Sequence, residues 1–368
     1  MTPENDLLAL LTLQRIPFLG DGSIKKLIQI FGSGQEVLAQ KKSRLLAIDG
    51  IGEHKLQDFW NEEHNAFAKA ELEYIQSNNI GVMTYTDAAY PERLKHCIDS
   101  PVVLFARGNI NLDNRRIISV VGTRKVTTYG KAFIEKFIEE IAPFNPIIVS
   151  GFAYGVDITT HKACIDAGIQ TIGVFAHGLN QVYPKTHSKY IPAMEKNGGF
   201  FTDFWSSDSF VHTNFLQRNR IIAGLSEATI VIESAEKGGS LVTADFAVGY
   251  NRDVFAVPGR ADDKLSSGCN NLIKQNNAPL CTSAADVAYI LNWKLEEETP
   301  KVVQKQLFVE LTEDEKIVWR FLKENGKEQL DIIALHCKLP TFKIASLLLQ
   351  MEMKGAVRAL PGKLFELV

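Results

Sequence analysis

Residues 214–259, NFLQRNRIIAGLSEATIVIESAEKGGSLVTADFAVGYNRDVFAVPG, decide how the rest of the chain is read. Phe215 to Leu225 has helical spacing, with Arg218 and Arg220 near its start. Ala228 to Glu233 is a short apolar run rich in β-branched residues, which predicts a buried strand. A tight turn follows at Lys237-Gly238-Gly239-Ser240, where Ser240 suits an N-cap, and Leu241 to Tyr250 returns to helical periodicity. Asp253 to Val257 predicts a second buried strand, stopped by Pro258-Gly259. The unit is strand–helix–strand, with its glycine loop at the carboxyl end of a strand. Free N–H groups at a helix start, and glycines that admit an anion closely, suit such a loop to phosphate. Open parallel sheets bind ligands in this crevice. Lys237, Arg218 and Arg220 add positive charge; a plain turn with solvated basic residues is the competing reading.

Composition bounds the rest. The 368 residues allow two or three domains, and 45% apolar with 23% charged residues is an ordinary globular balance. A net charge of −3 means that any nucleic-acid site is a local patch. No apolar run approaches the ~18 residues of a membrane helix, so no membrane contact is expected. The acidic start MTPENDLLAL argues against a signal or transit peptide. Five scattered cysteines without a CxxC pair fit a reducing cytoplasm. Eight histidines without HxxxH or HExxH give no support to a metal, and no cofactor is expected.

Residues 1–80 predict an all-helical region. Its Ile48-Asp49-Gly50-Ile51-Gly52 turn is of the kind found in helix-hairpin-helix modules, which hold DNA phosphates through backbone N–H groups. A packing corner, or a small interaction fold of the SAM type, explains the same pattern. Residues 81–293 predict the main domain. Val102 to Phe105 reads as an edge strand; from Ile117 onward strands alternate with helices, which means a parallel sheet covered on both faces. A further short strand is expected near Pro279 to Thr282. Residues 294–308 read as a linker, and 309–368 as three helices and a hairpin, a winged helix. Its third helix, FKIASLLLQMEMKG, has few basic residues, which favours protein contact over DNA reading.

Three strand-end loops stand out: Gly122-Thr123-Arg124-Lys125, Ser150-Gly151-Phe152 and Lys237-Gly238-Gly239-Ser240. Each puts a glycine after an apolar strand, then a hydroxyl or basic group. The right-handed crossover rule lines them along one edge. With Arg218 and Arg220 they predict a positive groove longer than one mononucleotide. Phe152, Tyr154 and Phe215 are either stacking platforms for bases or core. His161 and His177 lack a convincing catalytic partner and read as structural or pocket-lining, and Asp157 as a helix cap or loop-ordering residue.

These motifs resemble the DNA-processing protein A (DprA/Smf) family of bacterial natural transformation. The resemblance rests on Tyr90-Pro91, Val121-Gly122-Thr123-Arg124, Ser150-Gly151 through Gly155-Val156-Asp157 to His161, and Gly178 through Tyr183-Pro184. It continues through Arg218-Asn219-Arg220-Ile221-Ile222-Ala223-Gly224-Leu225-Ser226, Gly239-Ser240-Leu241 to Thr243-Ala244, Val257-Pro258-Gly259 and Ser267-Gly268 to Asn270, spanning about residues 88–290. It implies an α/β fold, an extended Rossmann-like domain that binds single-stranded DNA without catalysis, forms a homodimer, protects the incoming strand and loads the RecA recombinase onto it. By motif position the pocket maps to Gly122, Thr123, Arg124, Ser150, Gly151, Phe152, Arg218, Asn219, Arg220, Lys237, Gly239 and Ser240. Tyr154 departs from the arginine of many members. The alternative is a Rossmann-type enzyme that cleaves nucleoside monophosphates at the ribose, with Glu233 as its carboxylate. Its acidic residue after the paired glycines is missing, and the absence of GxGxxG after strand one argues against a dinucleotide dehydrogenase.

Overall fold

Short apolar runs become strands where helices can cover both of their faces. The computed structural model describes residues 3–113, 116–295, 311–360 and 362–367. Its main sheet holds β1 (Gly81–Thr84), β2 (Val103–Asn109), β3 (Ile117–Val121), β4 (Ile147–Ser150), β5 (Thr171–Val174), β6 (Gly198–Thr202), β7 (Ala228–Val231) and β8 (Asp253–Ala256). The spatial order is β1-β2-β6-β5-β4-β3-β7-β8. From β3 to β8 all neighbours are parallel; Ile118, for example, pairs with Ile148 on one side and Ala228 on the other.

Two strand expectations change. β2 is not an edge strand, because it lies antiparallel between β1 and β6. Glycines make that seam possible: a Cβ on Gly108 would stand 2.4 Å from the Gly198 carbonyl oxygen. The strand expected near 279–282 is a single bridge, Ala256 to Leu280.

Helices α1 (Pro3–Arg15), α2 (Asp21–Phe31), α3 (Gly34–Leu38), α4 (Lys42–Leu46), α5 (Glu53–Leu56) and α6 (Glu63–Ser77) precede the sheet. α7 (Glu92–Lys95), α8 (Thr128–Ile141), α9 (Val156–Asp166), α10 (Ile191–Lys196), α11 (Thr213–Leu225), α12 (Gly239–Gly249), α13 (Ser267–Lys274) and α14 (Ala284–Ile290) are threaded between and after its strands. The first six share a core with the sheet: Leu10, Leu13, Ile24 and Leu27 pack in one cluster with Val103 and Phe200. Lys25 is buried at this seam and donates to the carbonyls of Ile98 and Ser100, both at 3.0 Å. Loss of hydration holds its pKa below the usual lysine value. In the Ile48–Gly52 turn, Lys55 Nζ donates to the Gly50 carbonyl at 2.9 Å and Lys26 Nζ to that of Asp49.

The chain divides into two units, Met1–Leu295 and Glu296–Val368. The linker read at 294–308 lies outside the described residues from 296 onward. In the second unit α15 (Glu313–Asn325), α16 (Leu330–Cys337) and α17 (Thr341–Met353) pack with the antiparallel strands β9 (Glu328–Gln329), β10 (Val357–Leu360) and β11 (Leu364–Leu367). A capping box opens α15: Thr312 receives the Glu315 amide, and the buried Glu315 carboxylate accepts from Thr312 N and Lys354 Nζ, both at 2.7 Å. α17 exposes Phe342, Leu349 and Met353, so its outer face is apolar. Among the described residues no single helix is long and apolar enough to cross a membrane.

Candidate functional site

Winding order locates the site. The chain runs from β3 outward through β4, β5 and β6, then crosses back to β7 and β8 on the other side of β3. Loops leaving the carboxyl ends of β3 and β7 therefore part from each other and open a crevice. Gly122, Thr123 and Arg124 from β3, and Ser234, Ala235, Gly238, Gly239 and Ser240 from the β7–α12 turn, enclose a cleft of about 280 Å³, with α11 behind it. Backbone bonds fix its walls: Thr123 N donates to Glu233 O at 2.7 Å, and Val156 N to Thr123 O at 3.1 Å. Gly122 is needed here, because a Cβ would stand 2.5 Å from Val156 Cγ2.

Three helices begin at this edge, and the starts of two are tied to other segments of the chain. Glu233 closes the start of α8, accepting from Thr127 N at 2.9 Å and from Thr127 Oγ1. At α9 the first amide, Val156 N, is taken by Thr123 O, while Asp157 reaches back to accept from Ala153 N, in the loop before the helix, at 3.2 Å. α12 starts with no side chain capping it, and Ser240 Oγ donates to Ser234 Oγ at 3.0 Å. α12 begins at Gly239, so Ser240 lies inside the first turn rather than at the N-cap. The three similar anion loops expected from sequence thus reduce to one free helix N-terminus, where the helix dipole and unpaired amides favour an anion.

The two glycines of that turn differ. A Cβ on Gly238 would stand 2.2 Å from Ser234 Oγ, whereas one on Gly239 meets nothing within 4 Å. Gly239→Ala is therefore expected to keep or slightly raise stability, by up to ~0.5 kcal/mol from lost unfolded-chain freedom. It is expected to weaken anion binding several-fold by standing where a phosphate approaches. Thermal melting beside a binding titration checks both signs.

Arg218 is buried, and its Nη1 donates to the Gly151 carbonyl at 2.6 Å and to the Val174 carbonyl. Burial lowers its pKa to about 10, with Asp157 pulling the other way, so it stays charged at neutral pH. Arg124 is exposed and stands 5.0 Å from the centroid of Phe215. Asn219 lines the cleft, and its Nδ2 donates to Gly239 O at 3.3 Å. Beside the cleft, Arg124, Gly151, Tyr154, His177, Tyr183 and Phe215 line a small recess. His177 is buried there, and burial holds it below its ordinary pKa, in the neutral form. Tyr183, Phe210 and Phe215 form a wall with ring centroids 4.8, 5.5 and 5.9 Å apart. Tyr183 and Phe210 are 43% and 40% exposed, enough to stack on a ligand. Sequence reasoning misses Phe210, because it lies in an aperiodic loop with no glycine or basic neighbour to mark it.

Four expected site residues stand elsewhere. Phe152 is fully buried at φ +58°, packed on Phe175 and Phe200 at 5.4 and 5.1 Å, so its ring is core and stacks on no ligand. Ser150 donates Oγ to Val120 O at 2.7 Å inside the sheet. Arg220 points away from the cleft: it pairs with Asp203, lies 3.7 Å from Asp21, and donates to Asp99 O. Two residues along a helix turn the side chain by about 200°, so Arg218 and Arg220 cannot share a face. Lys237 is exposed at the loop tip and lines neither the cleft nor the recess. Gly122, Thr123, Arg124, Gly151, Arg218, Asn219, Gly239 and Ser240 are the expected residues that come together. His161 is buried on Thr171 Oγ1 at 2.7 Å, away from the cleft lining.

Residues 81–292 match the sequence family of DNA recombination-mediator protein A, and residues 309–363 match the DprA winged helix domain. The chain belongs to the DNA recombination-mediator protein A (DprA/Smf) family. It is 38% identical to DNA processing protein DprA of Bacillus subtilis over 217 residues, covering 59% of this chain and 73% of the relative. To protein Smf of Escherichia coli it is 30% identical over 298 residues, 80% of this chain and 79% of that one. Among solved structures, DprA of Streptococcus pneumoniae superposes with a TM-score of 0.64 at 29% identity, covering 80% of this chain and 99% of that one. DNA processing protein A of Helicobacter pylori, studied for its single-stranded DNA binding mode, gives 0.53 at 27% identity, over 58% of this chain and 95% of that one. The family places the chain among DNA-processing proteins and accounts for a Rossmann-like sheet followed by a winged helix.

Proposed function

We propose that the protein binds single-stranded DNA in the β3–β7 cleft, without turning it over, and delivers the strand to a RecA recombinase during transformation and recombination. The observation that carries this reading is the pairing of one free helix N-terminus and two guanidiniums with an exposed aromatic wall. Phosphate and base are then held by adjacent surfaces, as single-strand binders require. The Helicobacter pylori relative binds single-stranded DNA. Recombinase loading and a homodimer through the Rossmann-like domain rest on family membership, and a cytoplasmic location on the reduced, scattered cysteines. The nucleotide-cleaving alternative needs a carboxylate facing the cleft from β7. Glu233 is 2% exposed and spends both oxygens on the start of α8, which favours the binding reading.

Fluorescence anisotropy of labelled single-stranded and duplex oligonucleotides across a salt series tests the proposal. Wild type is expected to prefer the single strand and to lose affinity steeply with salt. Arg124→Ala is expected to bind at least tenfold more weakly, with the log–log salt slope reduced by about 0.7 for the phosphate released. Its melting temperature should not move, since Arg124 is exposed. Equal weak binding of both DNA forms, unchanged by the substitution, would sink the proposal; turnover of purine monophosphates abolished by Glu233→Ala would replace it. If loading holds, the protein should also speed recombinase assembly on the same oligonucleotide.

A further inference from the structure

The cleft walls carry a carboxylate as well as cations. Asp157 lines the cleft with Thr123, Arg124, Arg218 and Ser240, and is 7% exposed. A Cβ on Gly151 would stand 2.6 Å from Asp157 Oδ2 and 2.7 Å from Arg218 Nη2, so both groups flank the same glycine. Arg218 commits Nη1 to the Gly151 and Val174 carbonyls, and Asp157 Oδ2 accepts from the neutral amide of Ala153 rather than from a guanidinium. With Asp157 ionised, the guanidiniums of Arg124 and Arg218 and this carboxylate sum to one net positive charge; His212 lines the same cleft.

That balance fits one kind of phosphate. An internal phosphodiester carries a single negative charge, whereas a phosphomonoester carries about −1.5 to −2 at pH 7. A fixed like charge against the wrong ligand is how a site rejects it. We propose that Asp157 is a specificity-determining residue that restricts the cleft to internal phosphodiesters and excludes terminal phosphates and nucleoside monophosphates. The inference rests on the DNA-binding reading and deepens it: the site accepts the middle of a strand and ignores its ends and free nucleotides.

Acid reverses the exclusion. The monoester loses its second charge near pH ~6. Burial raises the Asp157 carboxyl, opposed chiefly by Arg218 on α11, then by the Ala153 amide, by Ser150 on β4 and by Arg124 after β3. His187, in the turn before α10, feels the Asp157 charge and gains its own in acid. All three titrations weaken repulsion as pH falls.

The test is competition for a labelled 5′-hydroxyl oligothymidine, bound to the full chain, by thymidine monophosphate and by the dinucleoside monophosphate TpT. For wild type at pH 8 the monophosphate should compete at least tenfold more weakly than TpT, and the gap should narrow at pH 5.5. In Asp157→Asn the amide keeps the acceptor for Ala153, and the monophosphate should gain at least tenfold. Its pH trend should then reverse, because an uncompensated positive cleft prefers the dianion. Equal competition by both ligands on wild type at pH 8 overturns the inference, as does an Asp157→Asn protein that binds the oligonucleotide with the gap unchanged. If the variant does not fold, the wild-type pair of pH values still decides. Oligonucleotide binding without discrimination overturns this inference alone; absence of oligonucleotide binding overturns the DNA reading with it.

Discussion

Gly155→Ala is expected to abolish measurable oligonucleotide binding and to lower stability by more than about 2 kcal/mol. Gly155 precedes α9 at φ +77° and ψ −122°, a conformation that costs an L-residue on the order of 1–3 kcal/mol. The added Cβ would also stand 2.2 Å from the Thr123 carbonyl oxygen and 2.5 Å from the Arg124 carbonyl carbon. Those are backbone atoms of the β3 loop, so no rotamer change relieves the contact. Either the loop lifts or α9 slides, and both break the Val156 N to Thr123 O bond that holds the cleft wall. Denaturant melts and anisotropy on the same preparation measure the two effects. Native stability with native affinity would mean that the loop does not rest on the start of α9.

Gly155 also shows where sequence reading succeeds and where it stops. The strand–helix alternation from Ile117 to Val257, the glycine turns and the winged-helix order are properties of local spacing and appear where expected, whereas the strand read near 279–282 is a single bridge. β2 was misplaced because nothing local tells an edge strand from one paired on both sides; that depends on β1 and on three glycines whose partners lie some ninety residues apart. Site residues divide in the same way. Gly122, Arg124, Arg218 and Gly239 were legible as loop glycines and cations. Phe152 was not, because an aromatic residue after a strand looks the same whether its φ of +58° turns the ring into the core or toward solvent. Arg220 follows an alternating motif, RNR, on a helix whose period separates its two cations, and its carboxylate partners come from segments near Asp21 and Asp203. The closing of the α8 start by Glu233 is a tertiary fact, invisible until the sheet brings those ends together.

Arg218→Ala is expected to lose oligonucleotide binding by at least a hundredfold and, unlike Arg124→Ala, to lose stability as well. Arg218 is 4% exposed, and its removal leaves the Gly151 and Val174 carbonyls without their donor. An acceptor left dry costs on the order of 1–3 kcal/mol, less here because water from the cleft can reach the gap, so about 2–3 kcal/mol in total is expected. Arg218→Lys should recover little of it, since an ammonium lacks the planar fork that reaches both carbonyls. The pH dependence identifies the cause. Burial already raises the Asp157 carboxyl above its ordinary value, and Arg218 is the largest influence holding it down. Without Arg218 that folded-state value rises further while the unfolded value stays put. A carboxyl with a raised folded pKa binds its proton more tightly when folded, so its burial costs increasingly more stability as pH rises through that range. The deficit of Arg218→Ala relative to wild type should therefore widen from pH 5 to pH 8, and the double substitution with Asp157→Asn should flatten it. A deficit that stays constant with pH in the single variant would show that the carbonyls alone hold Arg218, and that Asp157 answers only to the ligand.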